Sequence, residues 1–287
     1  MKKDIAKSIR AKLLNIARNE NVNYQQLIIR YLYERLLYRL SVSKFKNKFC
    51  LKGGALLYAL EKEFPRPTLD IDFLGIKIKN DIATIKNVFR EILIIPCEDG
   101  ILFDISTIEA EEINETNTYQ GIKISFMAKL DTIKQPLRMD IGFGDIITPS
   151  AQNLTYPVLM DELPAPEILA YSLESVVAEK FQAMIELSEV NSRYKDFYDV
   201  YKILSTQELD NTTLSKAVQA TFNNRGTSYQ NTHPLFTESF RNDENRNTQW
   251  KRFLKKIKQN EYLFFEDVMI LIISKLQPIY ETLNSNV

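Results

Sequence analysis

A single histidine, His233, stands in 287 residues, and that scarcity removes most zinc and histidine-triad chemistry. The two cysteines, Cys50 and Cys97, fit no metal-ligand spacing and are too few to form a disulfide framework. Net charge is also missing: Lys plus Arg and Asp plus Glu both total 37, so only local clusters can argue for a polyanionic partner. No apolar run approaches the roughly 20 residues that a membrane-spanning helix needs. The opening MKKDIAKSIRAKLLNIA is basic but alternates charged and apolar residues, so it lacks a signal-peptide core. It reads as the first amphipathic helix of a cytoplasmic protein. Any catalysis falls to carboxylates, Lys, Arg and Tyr.

What is present is enough for a large core, with 45% hydrophobic residues. Residues 4 to about 62 are almost entirely helical in pattern, with Ile9, Leu13, Ile16 and Ala17 at helical spacing. Leu27, Tyr31, Glu34 and Tyr38 predict a long second helix. Lys52-Gly53-Gly54 interrupts, and a short helix restarts at Ala55. Leu69–Phe73, Ile101–Ile108, Ile122–Ala128 and Leu137–Phe143 then read as strands, with a helix over about 81–93 after the first. Pro149, Pro157, Pro164 and Pro166 mark a loop-rich crossing. After Pro166 the pattern is helical to the end, with a polar, mobile stretch expected near Asn223 to Asn247. The expected division is residues 1–160, helices plus a small mixed α/β core, and residues 161–287, a helical domain.

The chemistry concentrates in two segments. On a strand, Ile71 and Phe73 share one face and Asp70 and Asp72 the other. Two neighbouring carboxylates repel unless a cation or proton intervenes, and Mg²⁺ suits them, completing its shell with water and phosphate oxygens. Gly53-Gly54, before a short helix, allows close approach of the backbone to phosphates. Asp140, opposite Met139, Ile141 and Phe143, offers a third carboxylate for a two-metal site. Alone, an Asp-x-Asp pair is usually a solvated strand face and Gly-Gly a turn. In this order, with a third strand Asp, they favour the metal and phosphate reading.

In the helical half, Lys180 falls within the apolar stripe of Val176, Val177, Met184 and Leu187. It either snorkels to solvent or points into a polar cleft. Arg193 and Asp196 stand at i, i+3, and Lys195 and Asp199 at i, i+4, so surface ion pairs account for all four. Glu179 reads as structural. Lys251, Arg252, Lys255, Lys256 and Lys258 form a basic helix face beside Phe253, Leu254 and Ile257. That face either grips RNA phosphates or is merely solvated.

Five motifs, in order, resemble one family. They are Lys52-Gly53-Gly54; Arg66, Thr68, Asp70 and Asp72 at alternate positions; Asp140-Ile141-Gly142; Ala178-Glu179-Lys180; and Arg193 to Asp199. Together they resemble the AbiEii/AbiGii nucleotidyltransferase toxins of bacterial type IV toxin–antitoxin systems, from the N-terminal helices to about Leu204. The resemblance implies an α+β fold, with a DNA-polymerase-β-like nucleotidyltransferase core flanked by N-terminal helices and a C-terminal helical domain. It implies Mg²⁺ or Mn²⁺ at Asp70 and Asp72, with Asp140 as the third carboxylate of the wider superfamily. A nucleoside triphosphate is the implied donor, with Gly53, Gly54, Thr68 and Lys180 binding it. Lys180 and Asp196 are implied to join Asp70 and Asp72 in the active site. By the same resemblance a cognate antitoxin is expected, together with a tRNA 3′ end as acceptor, blocked translation and a role in phage defence. A protein or small-molecule acceptor, or a catalytically silent helical binding module, are the competing readings.

Overall fold

A computed structural model describes residues 4–60, 70–116, 119–259 and 262–284. The chain divides into two compact units, one of residues 1–144 and 152–170, the other of residues 145–151 and 171–287.

The first unit holds a seven-stranded mixed sheet. Its strands are β1 (Phe49–Lys52), β2 (Ile71–Gly75), β3 (Ile101–Thr116), β4 (Tyr119–Leu130), β5 (Ile133–Phe143), β6 (Gln152–Thr155) and β7 (Glu167–Ala170), in the order β3-β4-β5-β2-β1-β7-β6. β2 runs parallel to β5 and antiparallel to β1, which places the Asp70–Asp72 segment at the middle of the sheet. The helices are α1 (Ile5–Asn19), α2 (Tyr24–Ser41), α3 (Gly53–Leu60) and α4 (Ile82–Leu93). Three side chains, Phe49, Phe73 and Phe89, pack edge to face at 5.7 and 5.4 Å and tie β1, β2 and α4 into one core.

α2 is buried on nearly every side, an arrangement that its charges would forbid unless paired. They are paired. Arg39 holds Asp99 by two hydrogen bonds of 2.5 and 3.1 Å, and Arg35 lies 3.6 Å from the same carboxylate and 3.3 Å from Glu34. Glu34 also accepts from the Leu159 amide at 2.7 Å.

Two expectations change here. Phe49–Lys52, expected within the helical stretch, is a buried strand, because β2 and β7 flank it on either side. The proline-marked crossing contains β6 and β7, and β6 is a polar edge strand without apolar alternation.

The second unit is helical, with α5 (Leu173–Leu187), α6 (Tyr194–Thr206), α7 (Asn211–Arg225), α8 (Glu238–Asn242), α9 (Glu244–Lys256) and α10 (Phe265–Asn284). Its core is aromatic: Phe181, Phe197, Tyr198, Phe222, Trp250 and Phe265 are fully buried. The stretch from Asn223 to Asn247, expected to be polar and mobile, contains the end of α7, a short 3₁₀ turn at Pro234–Phe236, α8 and the start of α9. Its polar residues are helix ends: Gly226 closes α7 in the left-handed conformation, Thr237 caps α8 and Asp243 caps α9.

His233 lies in this stretch, 3% exposed. Its Nε2 faces the Ile185 carbonyl at 3.1 Å, while its Nδ1 accepts from the Leu235 amide at 3.2 Å. An Nδ1 that accepts carries no proton, so the ring is the neutral tautomer with Nε2–H donating. Burial lowers its pKa from the usual 6.5, against the pull of the Ile185 carbonyl. The unfolded chain therefore takes up this proton first as pH falls, and the stabilisation from the neutral ring is present above about 6.5 and lost below it. Since His233 is the chain's one histidine, a ring-nitrogen NMR titration reads it directly. The expected result is an Nε2–H signal unchanged from pH 7.5 to 6.5; half-protonation at or above pH 6.5 would contradict the buried geometry.

Candidate active site

Cross-strand register in the first unit assembles a row of charges that no single segment contains. Lys52 of β1 pairs with Asp72 of β2, Asp72 with Asp140 of β5, Asp140 with Lys123 of β4, and Lys123 with Glu111 of β3. Two carboxylates therefore stand at facing positions on neighbouring strands, with a lysine position on either side. Ile71, Met139 and Ile141, on the opposite face, are fully buried and pin the register, since a one-residue slip would turn the carboxylates into the core. Asp70, exposed, immediately precedes β2. The Tyr33 hydroxyl of α2 donates to the Arg138 carbonyl at 2.8 Å. Burial pushes its pKa up, the Arg138 hydrogen bond opposes this, and the charges of Asp70 and then Asp140 raise it further.

Gly53, at the start of α3, lies against this row. Its φ is +67°, and a Cβ built on it would lie 1.8 Å from Asp72 Oδ2 and 2.7 Å from Asp72 Cγ. Only glycine permits that approach. The start of α3, where backbone N–H groups lack helical partners, is thereby held against the Asp72 carboxylate.

Among the described residues no three His, Cys, Asp or Glu side chains are gathered so as to hold a metal ion by themselves. The donor set fits a different kind of site. Mg²⁺ commonly takes one or two carboxylates and fills its remaining positions with water and phosphate oxygens. The Asp72–Asp140 pair, against which Gly53 brings no side chain of its own, has that character. Thr68 and Arg66 lie outside the described residues.

The second unit contains a separate ionic cluster. Lys180 of α5 lies 2.6 Å from Asp196 Oδ1 and 2.9 Å from Asp199 Oδ2, and Arg193 lies 2.7 Å from Asp196 Oδ2. The Asp196 and Asp199 side chains are 1% and 0% exposed, and that of Lys180 is 13% exposed. Surface pairing does not describe these carboxylates, which lie under α5. Nor does Lys180 snorkel, since its ammonium is clamped between two acids one helical turn apart. Burial pulls the Lys180 pKa down, but Asp196 and then Asp199 outweigh it and hold it at about 12. Burial likewise raises Asp196, but Lys180 and Arg193 prevail and its pKa falls below the ordinary 3.8. Such a carboxylate is a poor proton acceptor at neutral pH. Glu179 instead faces Arg225 at 3.5 Å, as a structural residue would, and Arg225 also pairs with Asp145 at 2.9 Å.

Residues 35–269 match the sequence model of the family described as nucleotidyl transferase AbiEii toxin, type IV toxin–antitoxin system. The chain belongs to the AbiEii family.

The match extends well past Leu204, where the motif resemblance ends, and takes in α7, α8, α9 and the start of α10. As an AbiEii-family chain it is a nucleotidyltransferase toxin by family, with an antitoxin as the implied counterpart. Two solved structures from Helicobacter pylori share the fold. One is JHP933, 15% identical with a TM-score of 0.50, covering 92% of this chain and 95% of that one. The other, described as a "putative nucleotidyltransferase", is 15% identical with a TM-score of 0.51, covering 93% and 99%. No curated protein sequence matches the chain. No helix among the described residues is long and apolar enough to cross a membrane.

Lys52 and Lys123 escaped the sequence reading as members of the carboxylate row. Lys52 was visible beside Gly53, but Lys123 sits between Ile122 and Ile124 on a strand whose partner only the sheet reveals.

Proposed function

We propose that this AbiEii-family chain transfers a nucleotide from a nucleoside triphosphate to the 3′ end of tRNA, with Mg²⁺ held by the Asp72–Asp140 pair together with water and phosphate oxygens. The observation that carries the reading is Gly53 pressed onto the Asp72 carboxylate, with Asp140 at the facing register position. It sets a backbone able to approach a phosphate beside a pair of acids able to hold an ion. Bound there, Mg²⁺ would supply charge neutralisation for the attacking and leaving oxygens. Gly53 and Gly54 offer backbone N–H groups to the phosphates, and Asp72 and Asp140 hold their oxygens at a fixed strand spacing. Lys180 supplies an ammonium that stays charged at every working pH. Asp196, held well ionised, orients Lys180 and does not serve as a base.

Incubating the protein with labelled nucleoside triphosphates, Mg²⁺, total tRNA and lysate proteins separates the acceptors. Label is expected on tRNA; label on protein or small molecules alone would replace the acceptor, and none anywhere would remove the reading.

The basic face of α9 gives a second prediction. Lys251, Arg252, Lys255, Lys256 and Lys258 are exposed, while Trp250, Leu254 and Ile257 anchor the segment in the core. If the face holds RNA, apparent tRNA affinity falls linearly with the logarithm of salt concentration. Reversing two of these charges should then make the slope shallower by roughly one to two units, at about 0.7 to 0.9 per lost phosphate contact. Triphosphate affinity should not move. A slope untouched by the reversals assigns RNA binding to another surface.

A further inference from the structure

Asn191 lies on the turn between α5 and α6, 3% exposed. Its Oδ1 accepts from the Arg193 amide at 2.8 Å, whereas its Nδ2 is buried without a hydrogen-bond partner. Native proteins rarely leave an amide donor in that condition unless a ligand or water completes it. Asn191 lines a groove of about 620 Å³ within the helical unit, a size suited to a small organic ligand.

The lining states the chemistry. The Arg246 guanidinium lies 3.9 Å from the centre of the Phe240 ring and donates to the Asn191 carbonyl at 3.1 Å and to the Glu189 carbonyl. It is therefore a fixed, planar, cationic surface of the kind on which heterocycles stack. Asn245 and Gln249 each bring an amide, whose paired donor and acceptor match the edge of a base, and Asn191 brings its Nδ2–H donor. A phosphate is a poor fit, because Asp243 and Glu189 line the same groove and Arg246 already serves two carbonyls. An aliphatic ligand would leave the amides unsatisfied.

We propose that this groove binds a nucleobase, that of the donor triphosphate or of an unpaired acceptor nucleotide. The inference rests on the transferase reading and deepens it. It is continuous with the ionic cluster, since Arg193, whose amide is held by Asn191, pairs with Asp196 at 2.7 Å. The base would stack on Arg246 and take the Asn191 Nδ2–H as a hydrogen bond.

Free adenosine, guanosine, cytidine and uridine carry no phosphate, so carboxylate-bound metal and Lys180 give them no hold. Titrated into the full chain by calorimetry or ligand-observed NMR, at least one should bind at millimolar strength or tighter. Asn191→Leu, which removes the amide donor, should weaken binding about tenfold or more. Because Asn191 is buried, Asn245→Trp is the companion variant; it fills the groove from an exposed position and should abolish nucleoside binding with the melting temperature unchanged. In steady-state transfer, a raised KM for triphosphate alone assigns the base to the donor, and a raised KM for tRNA alone assigns it to the acceptor. If no nucleoside binds, or Asn245→Trp binds them as the parent does, the groove proposal falls even where transfer is normal. Nucleoside binding by a chain that transfers nothing would sink the transferase reading and leave the groove standing.

Discussion

Asp72→Asn is expected to reduce nucleotide transfer by a factor of at least about 10²–10³, the range seen when one charge-stabilising group is removed from a preorganised site. The side chain keeps its shape, so the loss reads the charge and its capacity to hold an ion. Stability should change little. Asp72 is partly exposed, and its removal relieves repulsion with Asp140 while leaving Lys52 one fewer acid opposite it. A melting temperature within a few degrees of the parent is the expected companion result. Gly53→Ala approaches the same geometry from the other side. Its new Cβ meets Asp72 Oδ2 at 1.8 Å and sits at φ +67°, so Asp72 must move or α3 must shift. Transfer should fall in that variant too, although no charge has been altered. Full activity in Asp72→Asn would remove the carboxylate site from the mechanism.

The sequence made part of this site readable because strand alternation is local. Ile71 and Phe73 inward imply Asp70 and Asp72 outward, and Met139 and Ile141 imply the same for Asp140. What alternation cannot supply is register. That Asp72 faces Asp140, with Lys52 and Lys123 beyond, depends on pairings between positions 17 to 68 residues apart. β1 was hidden for a related reason: four residues between helices carry too short a pattern to distinguish strand from helix, and its flanking strands decide the matter. The Asn223–Asn247 stretch misled in the opposite direction, since Thr237 and Asp243 look like loop residues and act as caps over buried His233, Leu235 and Phe240. The spacing of Arg193, Lys195, Asp196 and Asp199 is the same for a solvated helix and for a buried clamp. Only the position of α5 tells them apart.

That clamp supports the second large effect. Lys180→Met should destabilise the fold by roughly 3–5 kcal/mol near neutral pH, because it strips the ammonium from two carboxylates that are 1% and 0% exposed. The pH dependence follows from Asp196, whose folded pKa lies below its unfolded value. Its contribution is present above about 3.8 and lost as pH falls through the lower folded pKa, so the parent loses stability on acidification. In Lys180→Met the acid that lost its partner is more easily protonated, and the gap from the parent should narrow at low pH. Urea unfolding of the two proteins at about pH 7.5 and about pH 3, on either side of the unfolded value of 3.8, measures this directly. A further variant separates structure from chemistry. Buried ion clusters replaced whole by neutral residues are often as stable as the original or more so. Lys180→Met with Asp196→Asn and Asp199→Asn should therefore recover much of the loss while remaining unable to bind triphosphate tightly. A refolded but inactive triple variant would mean that the charges serve the substrate. If instead the triple variant transfers nucleotide at the parent rate, the clamp is a packing device and Lys180 is not the cation for the triphosphate.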